Sequence, residues 1–288
     1  MAMRGLVVFI SDIRNCQSKE QEIKRIDKEM ANIRQKFSKP QDLNGYQRKK
    51  YVWKILYMFM LGYEVDFGHM ESVGLISSPR YSEKMVGYMA CSLLLREGDE
   101  LLRLIINSIK NDLISNQDNF MCLAMGSICT VGGREFAETL SGDVQKILLN
   151  PMTKVFVRKK AALTLLRLYR KNQDAINPAE IADKVLALLD DSNLGALTCV
   201  VGLILGLLAY STEGWEACPQ RAIGLLTRIV MNKEVLHTSR RPRRDYSNDY
   251  LYYGIPSPWL QIRLLRMITF FPPLHPQRDR MLIERLVQ

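Results

Sequence analysis

A chain of 288 residues that is 47% hydrophobic carries enough apolar surface for an extended core, and no low-complexity or Pro/Ser-rich stretch interrupts it. Its formal charge of +10 points to anionic partners. Six scattered cysteines (Cys16, Cys91, Cys122, Cys129, Cys199 and Cys218) show no CxxC spacing, which argues against a disulfide framework or a zinc motif and for reduced, buried thiols in a cytosolic protein.

In chain order, the apolar run Leu6–Ile10 is too short for a signal peptide, because Asp12 and Arg14 follow at once; it reads as a short helix over Gly5–Asn15. Ser18 opens a long helix, with Gln21 placed for a capping box. Ile23, Ile26, Met30, Ile33 and Phe37 then form a narrow apolar seam, suited to packing on a single partner helix. Later helices are predicted at Tyr46–Leu61, Phe67–Ser77, Ser82–Arg96, Glu100–Ser115, Phe120–Val131 and Asp143–Leu149. The remainder fall at Val155–Lys171, Ala179–Leu189, Leu194–Tyr210, Pro219–Met231, Trp259–Phe270 and Arg278–Val287. No alternating β pattern competes with them.

Five of these stretches superimpose: Val52–Glu64, Met85–Asp99, Phe120–Arg134, Val157–Asn172 and Leu197–Glu213. Their units begin near Tyr46, Ser82, Asn119, Val155 and Leu194, a spacing of roughly 36 to 39 residues that belongs to HEAT and armadillo helix pairs. One such pair cannot bury its own apolar face, so neighbours must stack. The expected fold is all-α, a single α-solenoid over residues 1–288, with a flexible Arg-rich loop over 237–249. Ser192–Thr212 is uncharged and close to a membrane span in length. Its acidic flanks, its Gly and Thr content and its repeat register favour a helix buried between neighbours.

Charge is uneven. Between Met1 and Leu61 lie 13 basic and 6 acidic side chains. The cations among Lys19–Lys28 alternate with acids and read as a solvated helix face. Arg48, Lys49 and Lys50 instead fall in the expected first turn of a helix, where the macrodipole disfavours them, and that conflict marks a functional site. Three cations with free helix N–H groups suit a phosphate, and Lys36 and Lys39 are close enough in sequence to join them. Nucleic acid and a lipid head group both fit such a cluster, although RRM, OB, helix-turn-helix and zinc signatures are lacking. Arg158-Lys159-Lys160 is a second, weaker cluster, and Arg240, Arg241, Arg243 and Arg244 form a third in a loop.

Nothing reads as catalytic. His69, His237 and His275 lack partners at ligand spacing, apart from Asp66 and Glu71, which are expected to cap a short helix. Gly-rich phosphate loops, GxSxG and HExxH are missing. Neither an enzyme activity nor a cofactor or metal is expected. Asp190-Asp191 reads as structural.

Met3-Arg4-Gly5-Leu6 and the run Phe9–Cys16 resemble the start of the alpha-adaptin family, large subunits of the endocytic clathrin adaptor complex. So do Ala31–Arg34, Lys49–Val52, Asp66–Glu71, Lys110–Asp112 and Tyr252–Trp259, in one order along nearly the whole chain. Ser11–Cys16 favours alpha over the related gamma subunit. The resemblance implies a trunk that assembles with sigma, beta and mu subunits at plasma-membrane coated pits, binds phosphatidylinositol 4,5-bisphosphate, gathers cargo and recruits clathrin. It places the lipid site at Arg4, Lys36, Arg48, Lys49 and Lys50, with Lys39 compensating for family lysines replaced here by Ser38 and Gln41. It gives Arg14 the role of meeting, with the sigma subunit, the acidic residue of dileucine signals. It covers only the first part of a trunk; hinge and appendage are absent, and the chain ends at Gln288 in a helix without a capping signal. The alternative, a nucleic-acid-binding or nuclear-transport solenoid, rests on charge and the Arg240–Arg244 loop.

Overall fold

The computed structural model describes residues 3–238 and 250–287, with side chains given for 3–231 and 250–287. The Arg240–Arg244 cluster lies outside them. The fold is all-α, of the α-solenoid class expected from the repeat. Among the described residues the β structure is one two-stranded hairpin, β1 (Leu251–Tyr252) and β2 (Ile255–Pro256). The chain forms two compact units, residues 1–133 and 134–288.

The first unit begins with α1 (Arg4–Arg14), α2 (Lys19–Phe37), a 3-10 turn at Pro40–Asp42, and α3 (Gly45–Met60). It continues with α4 (His69–Ile76), α5 (Tyr81–Leu94), α6 (Leu101–Leu113) and α7 (Asp118–Val131). Successive pairs pack as a stacked repeat requires: α3 on α5, α5 on α7, α4 on α6. The seam of α2 behaves as its spacing predicts. Ile26 and Ile33 are fully buried with Phe9, Ile13, Ile55 and Met58, and Met30 and Phe37 pack at the margin. Ile23 stays exposed. Gly87 sets the approach of α5 to α4: a Cβ there would lie 2.7 Å from Ile76 N and 2.8 Å from Ser72 O.

The second unit holds α8 (Arg134–Leu149), α9 (Val155–Lys171), α10 (Pro178–Ala187), α11 (Leu194–Leu208), α12 (Cys218–Thr238), α13 (Pro258–Ile268) and α14 (Arg280–Val287). Helix α11 is the uncharged run. It packs on α9, α13 and α10, and 10 of its 15 residues are buried, so its all-round hydrophobicity comes from its neighbours. Among the described residues no helix is long and apolar enough to cross a membrane. Helices α3, α5, α7, α9 and α11 start at residues 45, 81, 118, 155 and 194, in register with the sequence repeat.

Helix α8 starts nine residues before the predicted Asp143. Phe136, Ala137 and Leu140 are buried on the same face as Val144, Ile147 and Leu148, but the polar residues between them mask the period. Helix α12 likewise runs past Met231, to Thr238. Two of the six free thiols, Cys91 and Cys218, are buried, and burial pushes each up to about 12. The other four are half-buried.

Candidate anion-binding corner and the exposed Arg14

Helix α1 is held from beneath by charge as well as by Phe9. Asp12 accepts from Arg25 on α2 at 3.1 Å, Arg25 reaches Glu29 at 2.8 Å, and Glu29 meets Lys54 of α3 at 2.5 Å. The Lys54 ammonium also lies 5.2 Å from the centre of the Phe9 ring. Burial by itself raises the Glu29 carboxyl, but the hydrogen bonds from Lys54 and Arg25 outweigh it and hold the group below its ordinary range. This network leaves Arg14, the last residue of α1, exposed, and its guanidinium has no hydrogen bond or ion pair among the described residues.

Helix α2 starts at Lys19 with Ser18 as N-cap, whose Oγ accepts from Gln21 N at 3.3 Å. The Gln21 side chain returns to Gln17 N at 3.0 Å rather than to Ser18, so the capping box is shifted by one residue. The start of α3 differs from expectation. Asn44 is its N-cap, accepting from Gln47 N at 2.9 Å while the Gln47 side chain accepts from Asn44 N at 3.0 Å. Arg48, Lys49 and Lys50 therefore occupy the fourth to sixth helical positions, beyond the turn where the macrodipole is strongest. In addition, the Glu83 carboxylate of α5 lies so close to Gly45 that a Cβ there would overlap it. The N–H end of α3 is thus served from within the chain, and the attraction for an anion resides in the cations.

Those cations diverge in part. Arg48 donates to Pro40 O at 3.4 Å, and its Nε is enclosed without a partner. Lys49 donates to Ser82 Oγ at 3.1 Å. The Lys50 ammonium sits 4.5 Å from the centre of the Tyr51 ring, and its stem passes Gly5, where a Cβ would come within 3.3 Å of Lys50 Cδ. Arg4, beside Gly5 at the start of α1, is exposed. Lys36 and Lys39 line an open pocket of about 280 Å³ with Gln35, Asp42, Leu43, Gln47 and Tyr51. Tyr51 therefore borders both Lys50 and the Lys36–Lys39 pocket.

Sequence reasoning missed Gln47 and Asp42 as pocket residues. The Asn44-x-x-Gln47 spacing carried the signal for the first. Ser38 is turned to Gln35 O at 2.8 Å, and Gln41 is exposed.

The second cluster disperses. Arg158 pairs with Asp191 at 2.9 Å and donates to Pro151 O and Thr153 O, both at 3.2 Å, so it braces a corner rather than waiting for a ligand. Asp190 pairs with Arg221 at 3.2 Å, and Asp191 accepts from Asn193 N at 2.8 Å, as their structural reading requires. Asp66 does not cap α4. It pairs with Arg34 at 2.6 Å, whose hydrogen bond holds the carboxyl below its usual range, and Gly68, at φ 87°, is the N-cap. Among the described residues no group of His, Cys, Asp and Glu is arranged to hold a metal.

Residues 22–288 match the Adaptin N terminal region family, and the chain belongs to it. It is 46% identical over 286 residues to AP-2 complex subunit alpha-1 of Arabidopsis thaliana, covering 99% of this chain and 27% of that protein. To AP-2 complex subunit alpha-2 of Dictyostelium discoideum it is 44% identical, over 94% of this chain and 26% of that protein. Against AP-1 complex subunit gamma-1 of Mycosarcoma maydis the identity is 31%, over 100% of this chain and 32% of that protein. The likeness is thus to alpha-adaptin more than to gamma. The chain spans about a quarter of the length of these alpha relatives.

Proposed function

We propose that this chain acts as the trunk portion of an alpha-type adaptor subunit in clathrin-mediated endocytosis. It would assemble with sigma, beta and mu subunits, engage clathrin through that complex, and work peripherally on the cytoplasmic face of the plasma membrane at coated pits. It would bind phosphatidylinositol 4,5-bisphosphate through Arg4, Lys36, Lys39 and Lys50, with Lys49 and Arg48 at the edge. With the sigma subunit, Arg14 would meet the carboxylate of acidic dileucine signals.

The observation that carries the lipid reading is the pocket of Lys36 and Lys39, joined through Tyr51 to Lys50. Two ammonium groups lining a solvent-open pocket, with a third against the Tyr51 ring at its border, suit a multiply charged head group, which offers several phosphates at once. Family membership and identities of 44–46% to AP-2 alpha subunits support the assembly reading. The exposed guanidinium of Arg14, on a helix fixed by Phe9 and the Asp12–Arg25 pair, supports the cargo reading, since a bidentate carboxylate contact needs a free and positioned fork.

The test compares binding of the chain to vesicles with and without phosphatidylinositol 4,5-bisphosphate, and to duplex DNA and RNA at matched salt. Selective vesicle binding is expected. Equal or tighter nucleic-acid binding overturns the lipid reading and favours the nucleic-acid solenoid. Co-purification with a sigma-type subunit tests the assembly.

A further inference from the structure

The hydrogen bond between Lys49 and Ser82 joins two parts of the first unit that the sequence keeps 33 residues apart. Ser82 is exposed and occupies the second position of α5. That end of α5 has no side-chain cap, and its N-cap, Arg80, is extended at φ −91° and ψ 119°. A phosphate on Ser82 would gain from the N–H end of the helix and from Lys49, whose Nζ lies 3.1 Å from Ser82 Oγ, whereas the neighbouring Arg80 is already paired with Glu83 at 3.4 Å. The nearest acid in sequence, Glu83, is engaged elsewhere, with Ser78 at 2.7 Å and against Gly45.

From these contacts we propose that Ser82 is a phosphoacceptor whose phosphate captures Lys49 and switches off the basic corner. The consequence for membranes rests on the phosphoinositide reading above. A protein kinase would transfer the γ-phosphoryl group of a nucleoside triphosphate. The Ser82 Oγ–P bond forms, the bond to the β-phosphate oxygen breaks, the nucleoside diphosphate leaves, and the hydroxyl proton passes to the kinase's base. The new group carries about −1.5 to −2 charges at neutral pH, which reduces the Arg48–Lys50 triplet to a net charge of about +1. A vesicle surface would then meet a fixed dianion where it had met a lysine.

The experiment uses the whole chain with phosphoserine installed at position 82 and two readouts. On vesicles containing phosphatidylinositol 4,5-bisphosphate, the phosphoserine protein is expected to bind at least about tenfold more weakly than wild type, with Ser82→Ala close to wild type. By phosphorus NMR, the second ionisation of the phosphate is expected below its ordinary value of about 6, and Lys49→Ala is expected to raise it again. Phosphoserine protein that binds vesicles like wild type overturns the switch. If wild type itself ignores these vesicles, the lipid reading fails on its own, and the NMR decides the remainder: a phosphate indifferent to Lys49→Ala overturns the capture. Mass spectrometry of the protein from its native cells is expected to find phosphate on the peptide spanning Ser82; a peptide recovered wholly unmodified overturns the assignment.

Discussion

Glu29 and Lys54 form a buried ion pair 2.5 Å apart that ties α2 to α3 directly beneath the helix carrying Arg14. Removing one partner strands the other. Lys54→Met should destabilise the first unit by about 3–5 kcal/mol, because the Glu29 carboxylate is left buried with Arg25 as its one ion-pair partner. Replacing both by apolar residues should recover most of that loss. Urea denaturation, with hydrogen exchange reporting on the amides of α1–α3, checks the pattern; a double variant as unstable as the single one contradicts it.

The same pair sets an acid limit. Glu29 is held below its ordinary value of 4.5 in the folded chain, so the unfolded chain binds the proton more readily. The stabilisation is present in full above about pH 4.5 and is lost as pH falls through the lower folded value. Protection of α1–α3 amides should therefore drop as pH falls below 4.5, and a Glu29→Gln variant should show a flatter profile there.

Gly87 has a packing role that its place in mid-helix conceals. Gly87→Ala gains helix propensity but drives a methyl group into the backbone of α4 at Ile76 and Ser72. The clash should dominate, lowering stability by about 1–3 kcal/mol. Thermal or urea unfolding of the variant tests this, and a stabilised Gly87→Ala protein contradicts it.

The fold was legible because the helix-pair period fixes the places where apolar faces recur. Three of the five repeat-starting helices, α3, α5 and α7, begin one residue before expectation, and α9 and α11 begin at Val155 and Leu194 themselves. What failed was context. The start of α8 was hidden because burial of Phe136 and Ala137 depends on neighbours the local pattern does not show. The basic corner was legible as composition, not as geometry. Asn44 shifts the cations out of the first turn, Glu83 reaches Gly45 from far along the chain, and Lys49 turns to Ser82. The Asn44 cap has a local signature in the Asn44-x-x-Gln47 spacing, but the contacts of Glu83 and Ser82 have none. Arg158 shows the reverse error, since its cluster resembled a ligand site until Asp191 claimed it.

Arg14 provides a test of the cargo reading. Arg14→Ser should weaken binding of an acidic dileucine peptide to the alpha–sigma assembly by about 1–3 kcal/mol, the range for a hydrogen bond to a charged group. Tyrosine-based peptides and vesicle binding should not change. Calorimetric titration of the assembly reads both, and an equal loss for the tyrosine-based peptide contradicts the assignment.

The most direct test of the lipid-binding corner reverses Lys36, Lys39 and Lys50 together. None of the three side chains donates a hydrogen bond to another described residue, so Lys36→Glu, Lys39→Glu and Lys50→Glu should leave the fold intact, with circular dichroism unchanged. Each cation near an anionic surface is worth on the order of 1 kcal/mol. Co-sedimentation with vesicles containing phosphatidylinositol 4,5-bisphosphate should show strong wild-type binding and a loss of at least about tenfold in the triple variant. A folded triple variant that sediments like wild type would contradict the placement of the lipid site at this corner.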